Sequence, residues 1–301
     1  MDLLTPRPQM TPLLTNSVLD RLGRLRICPA GRRTSRSRGE HLSGKGGMST
    51  EFCDYRDYAP GDDTRFVDWN IFARLHRPYL KQFHKEEERH VVLLIDASAS
   101  MKFEGKLNLA KPLAAAFGVM GLLNNERVSA YAVHGASEAP ERLPPCRGRS
   151  NLRTLFQFIA GVEGRGDAPL DQALELLLRH HRGRGVCVIV SDFLTFGDLQ
   201  RGFNLLYAAG LEPLGIQILG PTEIEPDLSS DLRLVDSETQ ETLDISSSAD
   251  LLTLYQEYRE RLANDLALLC RRRSGRFLSA SSASAVETVL FDQLRRGGWI
   301  E

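Results

Sequence analysis

The chain has 301 residues, 42% of them hydrophobic, with 38 basic and 39 acidic side chains. That is apolar material for one sizeable core, or one core with a smaller appendage, and the near-balance of charge argues against a nucleic-acid binder. No run approaches the ~20 apolar residues that span a bilayer, and the N-terminus lacks an apolar stretch of signal-peptide length. The five cysteines (Cys28, Cys53, Cys146, Cys187 and Cys270) are scattered, odd in number and without a CxxC pair. This speaks against a zinc site or disulfide framework and for a reducing, cytoplasmic setting.

Charge is uneven along the chain. Residues 1–48 hold nine Lys/Arg and three Asp/Glu, a net of +6, so the remainder carries −7 of the overall −1. A basic arm can mark contact with an anionic surface; without interleaved aromatics, residues 1–46 read as a solvated, partly mobile leader. Within it Ser17–Leu25 predicts a short helix capped by Asn16 or Ser17, and Gly31–Gly47, rich in Arg, Ser and Gly, predicts extended chain. Residues 47–90 concentrate aromatics: Phe52, Tyr55, Tyr58, Phe66, Trp69, Phe72, Tyr79 and Phe83. With the turn Ala59-Pro60-Gly61-Asp62-Asp63, they predict a compact layer whose aromatics are core and docking residues. Arg56, Asp62, Asp63, Arg65, Asp68 and Arg74 offer matched charges for a buried or half-buried ion-pair network fixing that layer.

From His90 onward strands and helices alternate. Strands are predicted at Val91–Ile95, Val128–Val133, Val186–Val190 and Pro213–Leu219. Helices are predicted at Leu107–Asn124, with Pro112 in an early turn, and at Asn151–Val162, Leu170–Arg182 and Leu199–Ala209. Leu232–Ile245 reads as a β-hairpin, Ala249–Arg273 as a long amphipathic helix, Phe277–Ser279 as a last strand and Ala285–Arg296 as a last helix. Such alternation predicts right-handed crossovers and a parallel sheet covered on both faces.

The run VVLLIDASASM, Val91–Met101, is the most informative in the chain. Its apolar residues read as a strand buried on both faces. Asp96 falls at the carboxyl end, where open α/β sheets bind ligands. Asp96, Ser98 and Ser100 are hard oxygen donors, suited to Mg²⁺ or Mn²⁺ rather than zinc. Asp192, in VCVIVSDF, ends a second apolar strand. If the strands are neighbours, the two carboxylates meet. Either Asp alone would more often serve a turn or an N-cap. His76, His84 and the His180-His181 pair lack metal-ligand spacing; His181 reads as a cation at a helix C-terminus. No GxSxG surrounds Ser98, and the Gly-rich pieces lack the GK[ST] ending of a phosphate loop.

Asp96-Ala97-Ser98-Ala99-Ser100 resembles the DxSxS motif of the von Willebrand factor type A domain and its metal-ion-dependent adhesion site. The resemblance implies a doubly wound α/β fold with a mainly parallel sheet. It also implies a divalent ion held by the motif, by a Thr on a second loop and by an Asp after a later strand, which Asp192 matches. The second loop reads Gly166-Asp167-Ala168-Pro169-Leu170, with Ala168 where Thr is expected and Asp167 as the adjacent oxygen donor. Upstream, Glu51-Phe52, Tyr55-Arg56-Asp57-Tyr58, Pro60-Gly61-Asp62-Asp63, Arg65, Asp68-Trp69, Ala73-Arg74 and Glu86–Glu88 resemble the signature of bacterial domain-of-unknown-function family 58. In that family the signature precedes a von Willebrand A-like domain.

The chain is therefore expected to comprise a leader (1–46), a signature segment (47–90) and a von Willebrand A-like domain (91–301). The expected function is a non-enzymatic protein-interaction module, metal-bridged through Asp96, Ser98, Ser100, Asp192 and Asp167 with Mg²⁺ or Mn²⁺. The resemblance implies a MoxR-type AAA+ ATPase as partner in chaperone-like assembly. The alternative is a metal-dependent hydrolase or phosphotransferase using Asp96 and Asp192.

Overall fold

The computed structural model describes residues 9–28, 52–83, 89–135, 139–167, 169–194, 198–226, 232–235, 242–245 and 249–301. Two compact units emerge: Arg33–Glu88, and a larger one formed by Met1–Arg32 with Arg89–Glu301.

Helix α1 (Asn16–Leu22) begins one residue before the predicted start, because Thr15 rather than Asn16 caps it, accepting from the Val18 N–H. Leu14, Val18 and Leu22, four residues apart, form one apolar stripe buried in the core of the larger unit. Ile27 pairs with Ile300, and Arg26 and Glu301 exchange backbone hydrogen bonds of 2.8 and 3.1 Å. The described part of the predicted leader is thus core structure, not solvated arm; Gly31–Gly47 lies outside the described residues.

In the smaller unit, β1 (Phe52–Asp57) pairs antiparallel with β2 (Tyr79–Phe83), and α2 (Trp69–Leu75) lies between them in sequence. Asp68 organises this segment. Its Oδ1 accepts from Asn70 and Ile71 N–H and caps α2, while its Oδ2 accepts from Tyr55 OH and Lys81 Nζ, each at 3.1 Å. The backbone bond from Ile71, then Lys81, hold its carboxyl below the usual range. The predicted ion pairs do form, Arg56 with Asp62 and Arg65 with Asp63, each at 2.6 Å. They are local, however, and the second is exposed, so the pairing shapes turns rather than building a buried network. Tyr58, Phe66 and Tyr79 are half-buried, but the other described aromatics are not core residues. Trp69 is 62% exposed, and Phe52, Tyr55 and Phe72 are also exposed. A two-stranded sheet with one short helix has little interior to offer.

The larger unit continues in chain order with β3 (His90–Asp96), α3 (Lys106–Leu123), β4 (Arg127–Val133), β5 (Glu141–Cys146), α4 (Leu152–Gly161), α5 (Leu170–His180), β6 (Gly185–Ser191), α6 (Leu199–Ala208), β7 (Leu211–Leu219) and α7 (Pro221–Ile224). The hairpin β8 (Leu232–Val235) and β9 (Thr242–Ile245) follows, then α8 (Ala249–Arg271), β10 (Arg276–Ser281) and α9 (Val286–Thr288), which runs into a π turn at Val289–Leu294. Six strands form one sheet in the order β10-β7-β6-β3-β4-β5, parallel except for β5. Sequence pattern misses β5 because Pro144 and Pro145 interrupt it. Proline is tolerated there because β5 is an edge strand.

Alternation along β3 divides the core. Val91, Leu93 and Ile95 face α1, α3, α4 and the C-terminal turn. Val92 and Leu94 face α5, α6 and α8. Gly121 lets α3 lie close on the sheet, since a Cβ there would be 2.7 Å from Val128 Cγ2. His181 caps α5 but is no helix-end cation: burial pushes its pKa down, and its Nε2 lies 3.1 Å from Gly183 O. The doubly wound α/β fold expected from the sequence is the fold this unit adopts. No helix among the described residues is long and apolar enough to cross a membrane.

Candidate functional site at the sheet switch point

From β3 the chain proceeds outward through β4 to β5, then returns to β6 on the other flank of β3 and proceeds through β7. The order reverses between β3 and β6, and such a switch point opens a crevice at the carboxyl ends of the strands. Asp96 ends β3 and Asp192 follows β6 immediately. With Ile95 opposite Val190 in parallel register, both acids reach the same edge, as their strand-end positions predict.

Asp96 is buried. Its Oδ1 accepts from Ser98 N–H at 2.9 Å and its Oδ2 from Ser191 Oγ at 2.6 Å. Ser98 and Ser100 hydroxyls lie 3.0 Å apart. Burial, and next the charge of Asp192, push the Asp96 carboxyl up to about 6, against the hydrogen bonds from Ser191 and Ser98. Past β6, Phe193 takes a left-handed backbone (φ 57°). Its N–H donates to Ser191 Oγ at 2.9 Å, and Leu194 N–H donates to Asp192 Oδ1 at 3.1 Å. Gln217 on β7 donates through Nε2 to Asp192 O at 2.9 Å. Its Oε1 is buried without a protein hydrogen-bond partner.

The dominant contact is one that the sequence reading missed. Lys106, the first residue of α3, has a fully buried side chain. Its Nζ donates to Asp192 Oδ2 at 2.6 Å and to Glu223 Oε1 at 2.8 Å. Burial alone would lower its pKa; the carboxylates of Asp192 and Glu223 outweigh that and hold it above its ordinary value. Glu223 also accepts from Gly220 N–H at 2.6 Å. Glu104, with φ 45°, accepts from Thr222 N–H and Oγ1 at 3.0 and 2.8 Å. Lys106 thereby joins the start of α3, the end of β6 and α7. A sequence signal existed: a lysine in the first turn of an apolar helix opposes the helix dipole unless carboxylates meet it.

The second loop is stitched to the motif. Ala99 N–H donates to Gly166 O at 2.9 Å and Arg165 N–H to Ala97 O at 2.7 Å. Asp167 is exposed, close to Gly135; Ala168 lies outside the described residues. His134, just past β4, has Nδ1 3.4 Å from Ala97 O and Nε2 3.1 Å from Glu141 Oε1. Its ring braces the motif loop.

By donor type, the edge fits a hard divalent ion. Asp96, Ser98, Ser100 and Asp192 converge, the orphaned Gln217 oxygen is nearby, and two carboxylates, Asp192 and Glu223, meet a single ammonium. Asp192 is already engaged by that ammonium, and among the described residues no group of three or more His, Cys, Asp or Glu side chains is gathered as a metal site. The rim is partly apolar: Phe103 is 47% and Leu194 44% exposed, and Lys106 Nζ lies 5.9 Å from the Phe103 ring centroid.

Uncharacterized proteins of Mycobacterium bovis and Mycobacterium tuberculosis are each 35% identical over 211 residues, covering 67% of this chain. The chain spans 65% of the length of these relatives. Among solved structures, the conserved hypothetical protein BatB from Bacteroides thetaiotaomicron is similar at 12% identity and a TM-score of 0.44, over 70% of this chain and 98% of that one. A von Willebrand factor type A structure from Catenulispora acidiphila is similar at 13% identity and a TM-score of 0.37, over 47% of this chain and 35% of that one. The model of the family described as "Protein of unknown function DUF58" matches residues 54–265, spanning most of the signature segment and most of the α/β unit, and the chain belongs to that family.

Proposed function

We propose that the protein is a non-enzymatic interaction module that docks a partner at the switch-point edge of its sheet. The observation that carries this reading is the pairing of a buried, oxygen-rich cluster with exposed apolar side chains, Phe103 and Leu194, on its rim. An exposed apolar rim around polar groups is how recognition surfaces are built. In the finer form of the reading, Asp96, Ser98, Ser100 and Asp192 hold Mg²⁺ or Mn²⁺, Asp192 only weakly because its carboxylate also holds Lys106, with Asp167 as a further oxygen donor. Bound there, the ion would supply a Lewis-acidic position for a partner's carboxylate. The family resemblance supports a MoxR-type AAA+ ATPase as partner, with this protein as adaptor in the cytoplasm.

Surface plasmon resonance against a purified MoxR-type ATPase tests this. Leu194→Asp is expected to weaken binding at least tenfold, about 1.4 kcal/mol, with the melting midpoint unchanged. A chelator is expected to weaken wild-type binding similarly. Undiminished binding by Leu194→Asp would move the docking surface elsewhere. Indifference to chelator would remove the metal while leaving the edge as the docking surface.

A further inference from the structure

We propose that Lys106 competes with a divalent cation for Asp192, and so sets how strongly this edge binds one. The inference rests on the metal reading above and deepens it. Both Asp192 oxygens are occupied in the structure, Oδ2 by Lys106 Nζ at 2.6 Å and Oδ1 by Leu194 N–H at 3.1 Å. Ser98 and Ser100, by contrast, pair their hydroxyls with each other at 3.0 Å, leaving lone pairs available.

The ammonium is fixed. Its side chain is 0% exposed, a second carboxylate holds it at 2.8 Å, and it opens the 18-residue helix α3. Asp192 and Lys106 are both enclosed, so bulk salt screens the repulsion between the ammonium and an incoming dication only weakly. A carboxylate that already neutralises an ammonium has less to offer a metal ion. The chain has therefore placed a permanent monovalent cation where a divalent one would draw on the same acid. Glu223, the other acid on Lys106, adds to that hold rather than to the metal's ligand set.

Mn²⁺ titration, followed by electron paramagnetic resonance of the free ion, tests this on four proteins: wild type, Lys106→Gln, Asp192→Asn and the double variant. Glutamine keeps a donor for the carboxylates without the charge. Lys106→Gln is expected to bind Mn²⁺ at least tenfold more tightly than wild type. Asp192→Asn is expected to change wild-type affinity by less than threefold, and to erase the gain in the Lys106→Gln background. Equal or weaker Mn²⁺ binding by Lys106→Gln overturns the competition while leaving the metal reading intact. Absence of Mn²⁺ binding by both proteins overturns the two together. If Lys106→Gln does not fold, Asp192→Asn decides alone: a loss of tenfold or more would show that Asp192 binds the ion despite Lys106.

Discussion

Lys106→Met isolates the charge at the centre of the switch-point edge. Methionine matches the length of the lysine stem, so cavity formation contributes little and the effect is electrostatic. The substitution strips Asp192 of its 2.6 Å ion pair and Glu223 of its 2.8 Å ion pair, and the side chains of these acids are only 4% and 18% exposed. Removing one partner of a buried pair typically destabilises by ~3–5 kcal/mol, because the remaining charge stays desolvated. At ~2–4 °C per kcal/mol for a unit of this size, the melting midpoint should fall by roughly 10 °C at pH 7. The pH dependence has a definite sign. In wild type Lys106 is held above its ordinary value, so its contribution is complete below the normal lysine range and is lost only as pH rises past it. Calorimetric melts of both proteins at pH 7 measure the defect. A midpoint unchanged by the substitution would refute the buried-pair argument.

Asp96→Asn should act in the opposite direction. The folded carboxyl titrates near 6 against an ordinary 3.8, so wild type binds the extra proton on folding and loses stability as pH rises through that window. The variant should be more stable by about 1–2 kcal/mol at pH 7 and no more stable at pH 4; denaturant midpoints at the two pH values decide, and an equal gain at both would sink the claim. Gly166→Ala should destabilise by ~1–3 kcal/mol, since φ is +72° and a Cβ would overlap His134 O. A wild-type urea midpoint would show that the loop is not held as described. Trp69→Ala, at a side chain 62% exposed, should shift stability by no more than ~0.5 kcal/mol. A loss of several kcal/mol would return Trp69 to the role of buried anchor.

The sequence alone determined the doubly wound α/β fold and the strand-end positions of Asp96 and Asp192. An apolar run such as Val91–Ile95 can be satisfied only between two helical layers, and alternation with helices makes the crossovers parallel. Local chemistry likewise announced the Asp62 turn and the hairpin at Leu232–Ile245. Tertiary structure alone decided the rest. Leu14, Val18 and Leu22 joined the core because α3 offered them a surface, which a charge count over the leader could not reveal. Phe52, Tyr55, Trp69 and Phe72 looked like core residues by type, yet they are exposed, because burial depends on partners that a two-stranded sheet does not supply. The pairs of Lys106 with Asp192 and Glu223 join residues 86 and 117 positions apart. They exist because the sheet order reverses between β3 and β6, which brings the start of α3 and the ends of β6 and β7 to one edge. The charge balance at the site is a property of that topology, and no local window of the sequence contains it.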